Sequence, residues 1–373
     1  MTRSLDITME RNLKKRWWLF LLSLTAVLAL SACGSRLGAN SWPGVTVADG
    51  TAYVAAGPAV YALDAQTGTF KWAFQGEGKT FSAYAPPALT PDHTLIIVGD
   101  YGGELYALRP DGTVAWKFLE AQSHYVAAPL VTNTAIYAPN ADGTLYALDL
   151  SGKLQWTFAA QGPLWGTPVS DGQRLYLPSL GHHLYALDAA TGALVWDVDL
   201  GGSLASQPTL VDGVLYVGTF DDAVVALQAE DGKVLWKAKA QGWVWSAPAY
   251  ADDMLFFGDL SGHFFALHAA DGQTVWSEAP DGPIVGQPAV QDGVVYFTTE
   301  NGTVLAFSTD GTPRWQHTLQ GELYAAPVVD GDLLFISPYK GDALVVALTR
   351  EGKTQWELST KDAEAALKAA EKK

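Results

Sequence analysis

One cysteine stands among 373 residues, which excludes an internal disulfide, a Cys-x-x-Cys redox pair and a multi-cysteine zinc site. Basic residues are also scarce: 23 Lys and Arg against 39 Asp and Glu leave a net charge of -16. Residues 1–32 hold five of the basic and two of the acidic positions, so the remainder carries 18 against 37, a net of -19. Binding phosphates requires cations to neutralise them, so the expected partners do not include nucleic acid. Charged residues make up only 17% of the chain and hydrophobic ones 49%, enough apolar material for a large core and too much for a disordered chain. The apolar run 17–30 is too short to cross a hydrocarbon layer of ~30 Å as a helix.

That run follows Lys14-Lys15-Arg16 and leads into Leu30-Ser31-Ala32-Cys33, the order of a secretory signal with small residues ahead of its cleavage site. The tetrapeptide resembles the bacterial lipobox. The resemblance implies removal of residues 1–32 and acylation of Cys33, which would anchor the chain to a membrane and account for its lone thiol. With two or three acyl chains such an anchor holds, whereas one chain binds only marginally. Residues 33–42 then form a short lipidated tether.

From residue 43 onward the chain repeats itself. Gly68, Gly112, Gly152, Gly192, Gly232, Gly272, Gly311 and Gly352 are each followed four residues later by Trp72, Trp116, Trp156, Trp196, Trp236, Trp276, Trp315 and Trp356. Each unit opens on a proline, from Pro43 to Pro327, and an alanine with a large apolar neighbour precedes each glycine, as in Ala62-Leu63 and Ala347-Leu348. Within a unit, turn signals such as Asp252-Asp253, Ser261-Gly262 and Asp271-Gly272 separate four short apolar runs. Four strands joined by three hairpins make an antiparallel meander. The third run, such as Leu145-Tyr146-Ala147-Leu148, is apolar on both faces, so neighbouring sheets must cover it. Eight such units over 43–358 predict an all-β chain, an eight-bladed β-propeller of four-stranded antiparallel blades, monomeric and closed without a swapped strand. A bulky ring at the same place in every unit is what packing between blades demands, so the eight tryptophans are read as structural docking residues. Beyond Leu358, the Ala-rich tail 359–373 has Asp362 and Glu364 early and Lys372-Lys373 late, the order that suits the dipole of a short helix.

Ala62, Asp64, Thr67, Gly68 and Trp72, and again Ala186, Asp188, Thr191, Gly192 and Trp196, match the Ala-x-Asp-x-x-Thr-Gly-x-x-x-Trp signature of the pyrroloquinoline quinone-type propeller repeat family, which this sequence resembles. Other copies drift, with Gln228 and Asp231, or His268 and Asp271, at the acid and threonine positions. In that family the tryptophan docks on the neighbouring blade. Many of its alcohol-oxidising members carry adjacent cysteines as a disulfide against the cofactor. That arrangement is impossible here, and no Cys-x-x-Cys-His haem attachment occurs. The reading is therefore of a non-enzyme without a cofactor, catalytic residues or a bound metal, a quinone-dependent dehydrogenase being the alternative. His182-His183 reads as a pair of surface histidines at a hairpin, where adjacent side chains point to opposite faces and do not share a metal, and Asp221-Asp222 and Asp252-Asp253 read as solvated turn acids, since no Asp-x-Asp-x-Asp-Gly calcium loop surrounds them.

Three residues before the blade-opening proline stand Tyr84, Trp165, Trp245 and Tyr324 in blades 2, 4, 6 and 8, against Val126, Ala205 and Val285 in blades 3, 5 and 7. If the first strand of each blade is innermost, this position rings the mouth of the channel. The aromatic rings then either plug that mouth or, with Tyr125 and Trp243, form a platform for a peptide or glycan. The lipid anchor together with a complete propeller is most similar to the BamB-like outer-membrane assembly lipoproteins. The resemblance implies a scaffold outside the cytoplasm with an envelope protein as its partner, on the periplasmic face of an outer membrane where there is one. A ligand-binding lipoprotein is the other non-catalytic reading.

Overall fold

The computed structural model describes residues 43–76 and 81–370. The signal, Cys33, the tether and the last three residues lie outside them. The described chain forms eight four-stranded antiparallel sheets, each in simple sequential order, spanning 44–74, 88–118, 130–159, 169–199, 209–239, 249–278, 289–318 and 328–359. The blade-opening prolines sit immediately before the first strands, where a missing N–H costs no ladder bond. Third strands are buried along their middle residues: Leu105, Tyr106, Ala107 and Leu108 are fully enclosed.

The repeated residues each have a mechanical task. The alanine of the third strand faces the tryptophan of the fourth across the ladder, as in Ala62 opposite Trp72 and Ala226 opposite Trp236, and its small side chain leaves room for the indole. That indole lies over the glycine of the next blade's last turn. Trp72 covers Gly112, Trp116 covers Gly152, and the series runs on through Trp315 over Gly352. Each of these glycines has a positive φ, and any β-carbon there would strike the ring. Most of the indoles also donate Nε1–H to a carbonyl just ahead of that glycine, as Trp196 does to Ala229 at 3.1 Å and Trp276 to Thr309 at 2.9 Å. The signature acid shapes the turn itself. Asp64 Oδ1 accepts from the Thr67 amide at 3.0 Å and from its hydroxyl at 2.9 Å, bonds that hold its carboxyl below the usual range. Where the threonine has drifted, Asp111 with Thr113 and Asp310 with Thr312 make the same kind of turn from a shifted position.

The ring closes by the same contact that joins its other blades. Trp356 of blade 8 covers Gly68 of blade 1 and donates to the Ala65 carbonyl at 3.0 Å, so no strand is exchanged. The tail adds a latch. Helix α1 (Thr360–Ala370) starts on Ser359, whose hydroxyl accepts the Asp362 amide at 3.0 Å and donates to the Asp362 carboxylate at 2.7 Å, an N-terminal cap. Its Ala363 and Leu367 are buried in one cluster with Tyr61 and Leu63 of blade 1 and Val345 and Ala347 of blade 8. Eleven residues would make a marginal helix in isolation, and packing across the seam between first and last blades stabilises it. Among the described residues, no helix is long and apolar enough to cross a membrane.

Candidate channel mouth

The segments leading into the blades converge on one cavity of about 480 Å³, lined from blades 1 to 6 and 8 by residues such as Gly44, Pro86, Val126, Gly166, Ala205 and Ala326. Blade 7 reaches an adjoining recess through Val285 and Gln287. First strands are therefore innermost. Tyr84, Trp165, Trp245 and Tyr324 all line the cavity and all are half-buried. Trp165 and Trp245 approach with ring centroids 6.4 Å apart, tilted by 43°. The four large rings stand around the opening and leave the cavity between them.

From the inner rings, aromatic contacts run outward along three lines. Trp245 meets Phe220 at 5.0 Å, and Phe220 stacks on Trp243 at 4.9 Å with the planes within 6°. Trp243 is 50% exposed, the outer end of a flat step. Tyr84 stacks on Tyr101 at 5.1 Å, and Tyr101 on His124 at 4.4 Å. Burial lowers the His124 pKa, which keeps that ring neutral near physiological pH. Tyr324 meets Tyr339 at 5.8 Å, and Lys340 Nζ stands 4.9 Å from the Tyr339 centroid, a cation–π distance.

Two carboxylates stand at one side of the opening, beside Tyr324. The Tyr324 hydroxyl lies 2.9 Å from both Glu300 Oε1 and Glu322 Oε2, and burial with these two carboxylates pushes its pKa well up. Lys340 Nζ is 3.4 Å from Glu322, an exposed pair of little energetic weight. Asp100 is fully enclosed below Tyr101. Burial pushes its carboxyl up to about 6 despite the Glu104 amide donating to it at 2.8 Å.

Of the six aromatic residues read from the sequence as a binding face, Tyr125 belongs elsewhere. It is 1% exposed and packs between blades 2 and 3 with Ile97, Phe118 and Ile136. It stands four residues before its blade's proline, in a column that in the other described blades holds buried Ala83, Leu164, Leu204, Val244, Ile284 and Leu323. Side chains alternate along an extended segment, so its neighbour Val126 takes the position at the mouth. Phe220, Tyr101 and Tyr339 are members of the site that the sequence reading missed. Each sits at the same point of the hairpin between second and third strands, where blades 3, 4, 6 and 7 have Ala141, Leu180, Leu260 and Glu300. Those hairpins lie beside the segments entering the blades, as the amide of Phe220 donating to Ser203 and that of Tyr101 donating to Ser82 show. Aligning that column as well as the proline column would have revealed them.

The other candidates lie in turns, except His183, which opens the third strand of blade 4. His182 has φ of 76°, and His183 Nδ1 sits 3.1 Å from Asp197 Oδ2. Asp222, Asp252 and Asp253 all have positive φ. Among the described residues, no three His, Cys, Asp or Glu side chains are grouped to hold a metal ion.

Comparison with solved structures gives the same architecture. BamB from Moraxella catarrhalis superposes with a TM-score of 0.71 at 19% identity, covering 81% of this chain and 94% of that one. The computationally designed Ika8 protein gives 0.72 at 16% identity, covering 84% and 98%. Sqt1 of Saccharomyces cerevisiae gives 0.68 at 12% identity, covering 87% and 97%. At such identities these likenesses establish the fold alone. No curated protein sequence matches the chain. A family model does match it, in overlapping stretches at residues 25–157, 85–177, 141–243, 180–286, 224–318 and 266–371. With that model matched along nearly its whole length, the chain belongs to the family described as outer membrane protein assembly factor BamB.

Proposed function

We propose that this chain is a non-catalytic propeller scaffold, held outside the cytoplasm by acylated Cys33, that docks an envelope protein in outer-membrane protein assembly. The observation that carries this reading is the step of Phe220, Trp243 and Trp245, presented on a closed ring of a family described as an assembly factor. A rigid ring suits docking, because preorganised loops lose little entropy on binding. Large, flat aromatic rings are the side chains on which binding energy concentrates in interfaces. Trp243 is the best placed of them, half in water and stacked from beneath.

The test is a photo-crosslinking amino acid at position 243 in the native host, followed by identification of the adduct. A subunit of the outer-membrane β-barrel assembly machinery is expected, together with loss of its co-purification in Trp243→Ala at unchanged melting temperature. Failure to capture such a subunit, or dye-linked dehydrogenase turnover with pyrroloquinoline quinone and calcium, would overturn the reading.

A further inference from the structure

Resting on the docking role proposed for Trp243, we infer that Asp259 is the residue that positions it. Trp243 is half exposed, so core packing does not fix its ring. Its backbone is held between two hairpins. On the blade 5 side, the Ala240 amide donates to the Asp222 carbonyl at 2.8 Å and the Val244 amide to that of Thr219 at 3.1 Å. On the blade 6 side, the Leu260 amide donates to the Trp243 carbonyl at 3.0 Å and Ser261 Oγ to the Gln241 carbonyl at 3.1 Å. The two amides just ahead of the indole, those of Gln241 and Gly242, both donate to Asp259 Oδ2, at 2.9 and 3.0 Å. Asp259 reaches them from the hairpin between the second and third strands of blade 6, and it is fully buried. Its Oδ1 accepts the Ser261 amide at 3.0 Å and the His263 amide at 2.9 Å. One carboxylate thus receives four amides, two from its own hairpin and two from the segment that carries Trp243. An ionised carboxylate only accepts, and bonds to it are stronger than neutral ones. Gly242 permits the close approach, since a β-carbon there would strike Ser261.

The same column of the repeat works differently in other blades. Asn140, Ser179, Thr219 and Thr299 take the place of Asp259 in blades 3, 4, 5 and 7. Asn140 Oδ1 accepts the Asp142 amide of its own hairpin at 3.0 Å, while its Nδ2 donates to the Ser123 carbonyl of the entering segment at 3.0 Å. Ser179 Oγ likewise donates to the Gln161 carbonyl, and Thr299 Oγ1 to Asp281 Oδ1 at 2.8 Å. Those hairpins offer the entering segment a donor where blade 6 offers an acceptor. Asp100 of blade 2 is the column's other acid, and its Oδ1 accepts the Glu104 amide of its own hairpin. Asp259→Asn therefore puts into blade 6 a residue that the fold accepts in blade 3. Its side chain has a single acceptor oxygen, which in the blade 3 arrangement stays with the hairpin. The NH2 group then faces two N–H donors, and the segment ahead of Trp243 is released.

The experiment labels the full chain with fluorotryptophan and follows the fluorine resonance of residue 243, assigned by its loss in Trp243→Phe, together with amide hydrogen exchange at Gln241 and Gly242. Asp259→Asn and Asp259→Thr should each move that resonance toward its place in Phe220→Ala, where the stacked ring is gone. Both should also speed exchange of the two amides by about tenfold or more. Asp281→Asn removes a carboxylate from the matching contact of blade 7 and should leave both readouts as in the wild type, whatever it does to the melting temperature. Adduct formation through a photo-crosslinking residue at 243 should fall by about tenfold or more in Asp259→Asn, because loosened residues must be ordered on binding. An unmoved resonance with slow amides in both Asp259 variants, or equal movement in Asp281→Asn, would overturn the inference. Should neither Asp259 variant fold, the wild-type chain decides: the two amides must exchange more slowly than those of exposed turns, and equal rates would overturn it. A moved resonance with no adduct in the wild type supports the positioning and overturns the docking role. An adduct of unchanged yield in Asp259→Asn overturns the positioning alone.

Discussion

Two alanine substitutions in blade 1 separate the cost of a backbone conformation from the cost of displacing the closing indole. Gly50 has φ of +66° and Gly68 of +68°, so alanine meets nearly the same backbone penalty at both. A left-handed alanine costs about 1–2 kcal/mol. Around Gly50 a new β-carbon meets nothing within 4 Å, whereas at Gly68 it would lie 2.5 Å from Trp356 Cε3 and 2.7 Å from Cδ2. Those distances are far inside contact, and the ring cannot rotate away without loosening its bond to the Ala65 carbonyl. Overpacking of this kind costs a further ~1–3 kcal/mol, and the lost indole bond about 1 kcal/mol. Gly50→Ala should therefore destabilise by about 1–2 kcal/mol and Gly68→Ala by about 3–6 kcal/mol. Urea unfolding followed by far-ultraviolet circular dichroism measures both. Values within about 0.5 kcal/mol of each other, below what overpacking alone should add, would refute the argument that blades 8 and 1 are joined by the indole on that glycine.

The latch helix makes a second expectation. Leu367→Ala should lower stability by about 2–3 kcal/mol, since the side chain is 7% exposed and sits in the cluster shared by the first and last blades. An unchanged melting temperature would show that the seam closes without the helix. A third concerns pH. The carboxyl of Asp100 is raised to about 6 in the folded chain from near 4 unfolded, so the native state binds the extra proton between those values. Its contribution to stability is then fully present below pH 4 and lost as pH rises through about 6. His124 titrates in the opposite sense nearby, so the quantity to measure is the wild-type value minus that of Asp100→Asn. That difference should fall by about 1–3 kcal/mol between pH 4 and 7, and a flat difference would contradict the buried assignment.

The sequence by itself determined the number of blades, the strands within each and the contact that joins them. Each of these depends on residues a fixed, short distance apart. The glycine with its following tryptophan, the alanine opposite it and the opening proline are all visible within one period. It also placed Tyr84, Trp165, Trp245 and Tyr324 at the channel mouth, because a column of the repeat keeps its place in every blade. Only the tertiary structure decided that Tyr125 is core while its neighbour faces the channel, since side-chain direction in an irregular extended segment is set by what packs against it. It alone brought Phe220 against Trp243, residues joined by no local period, because the hairpin of one blade meets the segment entering the next only when the two blades have packed side by side. The tail is the same case. Its helix depends on an apolar floor made by residues nearly the whole length of the propeller apart, and that floor exists only once blade 8 has met blade 1.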